Sequence, residues 1–565
     1  MHRRAHRICH CACLAAVVIV LLLTELALAQ VDEARQAIER KEYFKAVEIL
    51  SAALADQPSA DTYLYLGIAY RRMREYQKAE DIFRQGIGRY PEDTRFHIEL
   101  ADQFLENNDI DAAKSQLRHT LDIDPTNNYA SDQLATIDMS QGNIQSALRS
   151  WNKSGRPFIN DILHNYNLNF NSWVVRSALA FNPAGTLRYS EWKTTEWRLL
   201  ESDNFSNVGL ELEPTRVPDQ YNAVVRTTRK TNTPADFVFN AVKGAPVARS
   251  YVDIWDIGNS GVNFNGSYWW NANRRRGDGA FKIPLPVGGL TFLEMGSNWR
   301  AERWDLRFIQ PDLASEANLD FRATTMGIGV QTIPHYRVAV GAGFLYRNRY
   351  ATGELPQIFT NSLNLGKFMA GVDLRIVDRT TYQNRLHVDA FAARSSIIGN
   401  MNFTGGTAEL NNRHILSRDT ATYFDWALKG GTAFGALPVE EYFVLGLDIT
   451  PPNLLRGHRA WRGPYGNAPM GTDFVLLNTD IERRLKTLPF FNALNIPYMT
   501  VKWEAFFDAA KSWDRANVFQ EGELFLDIGA GIKLETPTYS LNFIYGRALR
   551  EGSNVFFAYY QRRLW

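Results

Sequence analysis

Cysteine is almost missing from this chain: of 565 residues, only Cys9, Cys11 and Cys13 carry a thiol. All three fall within the first thirteen positions, which excludes a disulfide-stapled fold for everything downstream. Long apolar runs are as scarce. The one present, Leu14–Leu23, is cut short by Thr24-Glu25, below the ~20 apolar residues a membrane-spanning helix needs. Arg3, Arg4 and Arg7 precede it and Ala27-Leu28-Ala29 follows, so residues 1–29 are expected to be a secretory signal peptide. A charge excess of either sign is lacking too. With three arginines and one glutamate removed in that segment, 59 basic and 60 acidic residues remain of 62 and 61, which argues against nucleic acid as a partner. An exported chain without a further apolar run of 18 residues can span a membrane only as a closed β-barrel.

Catalytic and metal-binding motifs are missing as well. The nearest approaches are His458 beside Arg456 and His387 beside Asp389, and no Ser-His-Asp order, HExxH or phosphate-binding glycine loop supports either. Charged residues on strands are ordinarily solvated or paired with one another. The expectation is a protein that is not an enzyme and uses no cofactor or metal.

What the chain does have begins with a repeat. Pro58, Pro91 and Pro125 are spaced 33 and 34 residues apart, the period of a helical hairpin. Aligned on them, Tyr63, Leu66, Gly67, Tyr70, Ala79, Phe83 and Gly86 match His97, Leu100, Ala101, Phe104, Ala113, Leu117 and Thr120. A further unit supplies Leu134, Ala135, Ala147 and Trp151, and an earlier one Ala34, Ala46, Leu50 and Ala53. Small residues at helix crossings, large ones between them and a closing proline resemble the tetratricopeptide (TPR) repeat over 31–152. That resemblance implies an α-solenoid that binds a partner protein.

After Trp151 the period changes. A strand over Leu163–Phe170, helices over Trp173–Ala180 and Ser190–Ser202, and strands over Val208–Glu213 and Tyr221–Thr228 are expected. This β-α-α-β-β order over 155–232 resembles a POTRA domain, a module that can bind an extended client by adding a strand to its sheet edge.

From Asp236 to Trp565 alternating segments recur. Val338, Val340, Ala342 and Phe344 oppose Ala339, Gly341 and Gly343; Leu526, Ile528, Ala530 and Ile532 oppose Asp527, Gly529, Gly531 and Lys533. One apolar face and one small or charged face suit a barrel wall between lipid and water. At about 20 residues per strand and connection, 236–565 holds roughly 16 strands.

Leu455-Arg456-Gly457-His458 resembles the [V/I/L]-R-G-[F/Y] loop motif of the BamA/TamA-type outer-membrane assembly and transporter superfamily. Asn478–Arg484 and Phe506-Phe507-Asp508-Ala509 resemble that family's following strand signatures. The resemblance, over about 155–565, implies that Arg456 sits on a loop folded into the lumen and pairs with a wall carboxylate, Asp508 or Glu482. His458 replaces the usual aromatic. Phe557, Tyr559 and Trp565 stand where the family carries its C-terminal insertion signal, though Arg562 and Arg563 interrupt the apolar alternation.

The fold expected is therefore α + β and multidomain: an N-terminal TPR solenoid, a small α/β POTRA-like module and a transmembrane antiparallel barrel. The function implied is an outer-membrane transporter or insertase in a Gram-negative bacterium, its N-terminal domains in the periplasm. Its partners would be outer-membrane lipid, a periplasmic or secreted protein client and a TPR-bound protein. Two alternatives stay open: an exopolysaccharide exporter joining TPRs to a barrel, and a surface scaffold or receptor barrel working through long loops such as Arg349–Leu363 and Pro451–Asp473.

Overall fold

The computed structural model describes residues 29–562 apart from 57, 166–172, 244–247, 271–273, 288, 306–317, 354–361, 380, 418–419, 447–454, 459–468, 490–497, 516–523 and 537–538. The signal segment, Trp565 and most of both long loops lie outside the described residues. Two compact units are formed: residues up to Asn160 with Ala184–Tyr189 and Pro214–Asn222, and the remainder.

The first unit is built of helical hairpins. After α1 (residues 29–39) come α2 (Tyr43–Asp56), α3 (Ala60–Arg72), α4 (Tyr76–Arg89), α5 (Thr94–Glu106), α6 (Ile110–Ile123), α7 (Asn128–Ser140) and α8 (Ile144–Trp151). Short polar side chains start several of them. Ser59, Asp109 and Asn127 accept hydrogen bonds from the backbone N–H of Thr62 (3.1 Å), Ala112 (3.1 Å) and Ala130 (3.0 Å), satisfying donors that the first turn cannot pair itself. The repeat positions are the core: Tyr63, Ala79 and Phe83 pack with Phe96 and Leu100 of the next unit. Gly67 and Gly86 are small by necessity, since a Cβ there would lie 2.3 Å from the Phe83 ring and 2.5 Å from the Phe96 ring.

Next come β1 (Phe158–Asn165), α9 (Trp173–Ala178), β2 (Gly185–Thr186), α10 (Tyr189–Glu201), β3 (Phe205–Pro214) and β4 (Gln220–Arg229). The sheet order is β2-β1-β4-β3. The two-residue β2 is unforeseen from sequence, being too short for any periodic signal.

Then follows α11 (Pro234–Lys243), where the sequence pattern leads one to expect the barrel to begin at Asp236. A capping box explains the helix: Thr233 Oγ1 accepts from the Asp236 N–H (3.2 Å) and Asp236 accepts from the Thr233 N–H (2.9 Å), directly ahead of Phe237-Val238. The large sheet starts only at Arg249. It comprises β5 (Arg249–Ile257), β6 (Val262–Trp270), β7 (Arg274–Leu285), β8 (Thr291–Asp305), β9 (Asn318–His335), β10 (Val338–Gly353), β11 (Ser362–Asp378), β12 (Tyr382–Ala393), β13 (Phe403–Ser417) and β14 (Thr422–Gly435). Two short strands, β15 (Phe443–Val444) and β16 (Met470–Gly471), pair with each other, and the large sheet resumes with β17 (Asp473–Pro489), β18 (Tyr498–Trp513), β19 (Phe525–Glu535), β20 (Tyr539–Ala548) and β21 (Asn554–Arg562). Among the described residues, 15 strands pair in simple chain order and β5 and β21 are left as free edges, one strand short of the expected 16.

The alternation read from sequence is the two-sidedness of this sheet. On β9, Met326, Ile328 and Val330 are exposed on one face, while Phe321, Ala323 and Thr325 are buried on the other. Among the described residues no helix is long and apolar enough to cross a membrane. The exposed apolar face of the strands is of a kind suited to lipid. Tyr336 lies in the β9–β10 turn, its N–H held by Thr194 Oγ1 of α10 at 2.8 Å. Helix α10 sits against this end of the sheet: Arg198 Nε donates to the Ile333 carbonyl (2.9 Å) and Trp197 stacks under Arg375 at 3.9 Å.

Candidate functional site

The described parts of the long connection from β14 to β17 lie against the inner face of the sheet and are held there at two places. Its first limb carries a 3-10 turn, Val439–Glu441. Glu440 bonds Arg349 (3.0 Å), and Glu441 binds both Arg347 and Lys367, the latter at 2.8 Å. Here acids on the loop meet bases on β10 and β11. The pairing of β15 with β16 then joins the two limbs of the connection.

The second attachment is the motif itself, with charge reversed. Leu455 is buried with Leu445, Phe474, Leu476 and Ala510. Arg456, 3 % exposed, lays its fork along Asp508: Nε to Oδ2 2.9 Å, Nη2 to Oδ1 2.6 Å, while its backbone N–H also reaches Oδ2 at 3.0 Å. Its remaining amine binds Asp480, and the guanidinium lies 3.8 Å from the centroid of Phe506. Asn478 Nδ2 donates to Asp508 Oδ1 at 2.7 Å. A bidentate guanidinium–carboxylate pair with the spare lone pairs also bonded is the arrangement in which burying both charges is tolerable.

Glycine is needed at Gly457 and Gly546 for close backbone approach. A Cβ on Gly457 would stand 2.6 Å from the Ala548 nitrogen, and one on Gly546 would stand 2.2 Å from the Arg456 carbonyl oxygen. The Gly457 N–H donates to Asp527 Oδ2 at 2.6 Å. His458 is fully buried, with Nδ1 3.0 Å from Asp527, Nε2 3.3 Å from Glu551 and its ring edge-on to Phe525. An imidazole here does what a phenol or phenyl ring cannot: it faces two carboxylates.

Of the two wall partners named from sequence, Asp508 meets Arg456 and Glu482 does not. Glu482 shares the inner face but lies one step, roughly 7 Å, further along β17 from Asp480, where it pairs with Lys502 (3.4 Å) and Lys533. Asp480, Asp527 and Glu551 were not singled out from sequence. For Asp480 the signal was present, since Asn478, Asp480 and Glu482 share one parity. Phe557 is half-buried against Phe506, Ile544 and Val555 on the inner side, while Phe556 is exposed. The backbone of Tyr559 pairs with Asn542. His387 bonds Asp389 at 2.7 Å and lies 3.6 Å from Asp373, inside a run of wall charges that includes Arg385.

No protein-family model and no curated protein matches the sequence. Solved structures do. CdiB from Escherichia coli is 13% identical with a TM-score of 0.51, covering 71% of this chain and 73% of that one. CdiB from Acinetobacter baumannii gives 12% and 0.49 over 70% and 71%. BamA from Haemophilus ducreyi lacking POTRA domains 1–3 gives 10% and 0.41 over 71% and 83%. At such identity the likeness to the E. coli protein is one of fold alone. The fold of this chain is thus similar to that of CdiB from Escherichia coli.

Proposed function

We propose that this protein is a non-enzymatic outer-membrane transporter or insertase that assembles or secretes protein clients. The observation that carries the reading is the clamp of Arg456 on Asp508 and Asp480, which folds a long loop onto the inner face of the sheet. A passive pore needs no such buried contact, whereas a machine that guides a client along its wall needs a fixed element inside it. The barrel spans the outer membrane of a Gram-negative bacterium with its N-terminal domains in the periplasm. The hairpins α1–α8 act as a TPR array that recruits a partner or client; their 33- and 34-residue repeat and interlocking glycine–phenylalanine contacts support this. The module Phe158–Arg229 acts as a POTRA-like relay that passes an extended client along by strand addition, supported by its element order and by β1 lying beside β4.

The test compares cells with and without the protein, and with Asp508→Asn, by quantifying outer-membrane and secreted proteins. Loss of particular β-barrel or secreted proteins in the deletion, restored by wild type and not by Asp508→Asn, is the expected result. Unchanged protein content together with depleted surface polysaccharide would replace this reading with a glycan exporter.

A further inference from the structure

The parity of the large sheet leaves a gap of one strand. The β5–β6 turn lies at the α10 end of the sheet, where Asn204 Nδ2 donates to the Gly261 carbonyl (3.1 Å) and Arg229 to Asn259 (2.9 Å). With 15 strands alternating in direction, β5 and β21 both run toward that same end. Joined directly they would be parallel neighbours; one strand running the other way between them would make every pairing antiparallel, as such barrels require. The chain supplies a segment with the right direction. It leaves Arg229 at the α10 end and must reach Arg249 at the opposite end, about 30 Å away along nine strand residues.

That path now contains α11, a ten-residue helix only about 15 Å long. Its face is unsuited to water: Phe237, Val238 and Val242 are 39%, 64% and 56% exposed. Immediately before it, one side chain already behaves as a strand partner. Asn232 Nδ2 donates to the Trp255 carbonyl (2.6 Å) and Asn232 Oδ1 accepts from the Trp255 N–H (2.8 Å), occupying both backbone groups that Trp255 presents on that side. Continued in that register, Ala235 falls opposite Val252 and Phe237 opposite Ser250. Ala235, Phe237 and Ala241 then share the outer face with the exposed Val252, while Asn232, Asp236 and Asn240 share the inner one with Val238 and Val242. The outer-face positions thus fit a strand as well as a helix, at the cost of two valines on the inner face and one missing donor at Pro234.

We infer that residues 232–241 are a two-state stave, helical beside the open sheet and extended between β5 and β21 in the closed one, with Asn232 opposite Trp255. This rests on the sheet being a membrane barrel. The occupant of the free edge of β5 is thereby the chain's own segment rather than a client strand.

The experiment uses the full chain in outer membranes, with Cys9, Cys11 and Cys13 replaced by serine. The pairs Ala235→Cys/Val252→Cys and Phe237→Cys/Ser250→Cys are oxidised, and single cysteines at 235–241 are scanned with a water-soluble maleimide. A strand places 235 and 237 on one face, so both disulfides form and labelling alternates with a period of two. A helix turns the two positions about 200° apart, so disulfide formation in at most one pair, or a labelling period near 3.6, overturns the proposal. Should the cysteine pairs disturb assembly, the single-cysteine scan alone decides between the two periods. A protein recovered outside the membrane fraction would count instead against the barrel reading.

Discussion

Arg456 is the residue on which the inner loop depends, and its chemistry is specific to a guanidinium. A lysine would keep the charge but present one point of contact where Arg456 now serves Asp508 through two nitrogens and Asp480 through a third. Arg456→Lys is expected to lower barrel stability, and Arg456→Ala to lower it further. The latter strands the buried Asp508 and takes a partner from the half-buried Asp480, a loss of about 3–5 kcal/mol. Both effects are readable as the temperature at which the unheated gel mobility of the folded barrel disappears. A second residue-scale expectation concerns Asp93 at the start of α5. It accepts hydrogen bonds from the Arg95 side chain (2.9 Å) and backbone (3.1 Å), and the side-chain bond foremost holds its carboxyl below the usual range. A depressed folded value means that the unfolded chain takes up its proton first. The stabilisation is therefore present above the ordinary carboxylate pKa and is lost as pH falls through it toward the folded value. Asp93→Asn should flatten the decline in helical melting temperature between neutral pH and about pH 3; an unchanged slope would assign the acid sensitivity elsewhere.

At the scale of elements, the helical array and the inner loop are each held by contacts between pieces far apart in sequence. In α4 two glycines separated by one residue have opposite meanings. Gly86 faces Phe96 of the next hairpin, whereas nothing lies within 4 Å of a Cβ at Gly88. Gly86→Ala should destabilise the array by about 1–3 kcal/mol through overpacking, and Gly88→Ala should stabilise it by about 1 kcal/mol through helix propensity. Circular dichroism melts would resolve the two signs. The inner loop shows the same logic with charge. Its acidic turn binds Arg347, Arg349 and Lys367, and its basic motif binds Asp480 and Asp508. The two attachments cannot exchange partners without placing like charges together, which fixes the loop in one orientation.

At the scale of the whole molecule, the described parts of that loop are attached to the inner face of the sheet both at β10–β11 and at β17–β18. Glu440→Gln combined with Glu441→Gln would release the first attachment and take these two carboxylates away from Arg347, Arg349 and Lys367. The expected outcome in planar bilayers is a several-fold rise in open-pore conductance with the Arg456 attachment kept. Conductance equal to wild type would show that the acidic turn does not restrict the lumen.

The helical hairpins are legible in the sequence, through a period of 33–34 residues with small positions at each crossing, and so is the two-sidedness of the strands. Both are local periodicities, set by how a backbone repeats. The loop motif and one of its wall partners were legible only through a resemblance, because Asp508 stands in a motif. That Asp480 rather than Glu482 takes the third nitrogen of Arg456 follows from packing, since residues of one parity differ only by position along the strand. Only tertiary structure brought Glu440 and Glu441 to bases some 90 residues away, and turned His458 toward Asp527 and Glu551. Around Asp236 the two levels diverge. A capping box and an alternating pattern coexist in the same residues, and what neighbours the segment, a free strand edge or a second strand, selects between them.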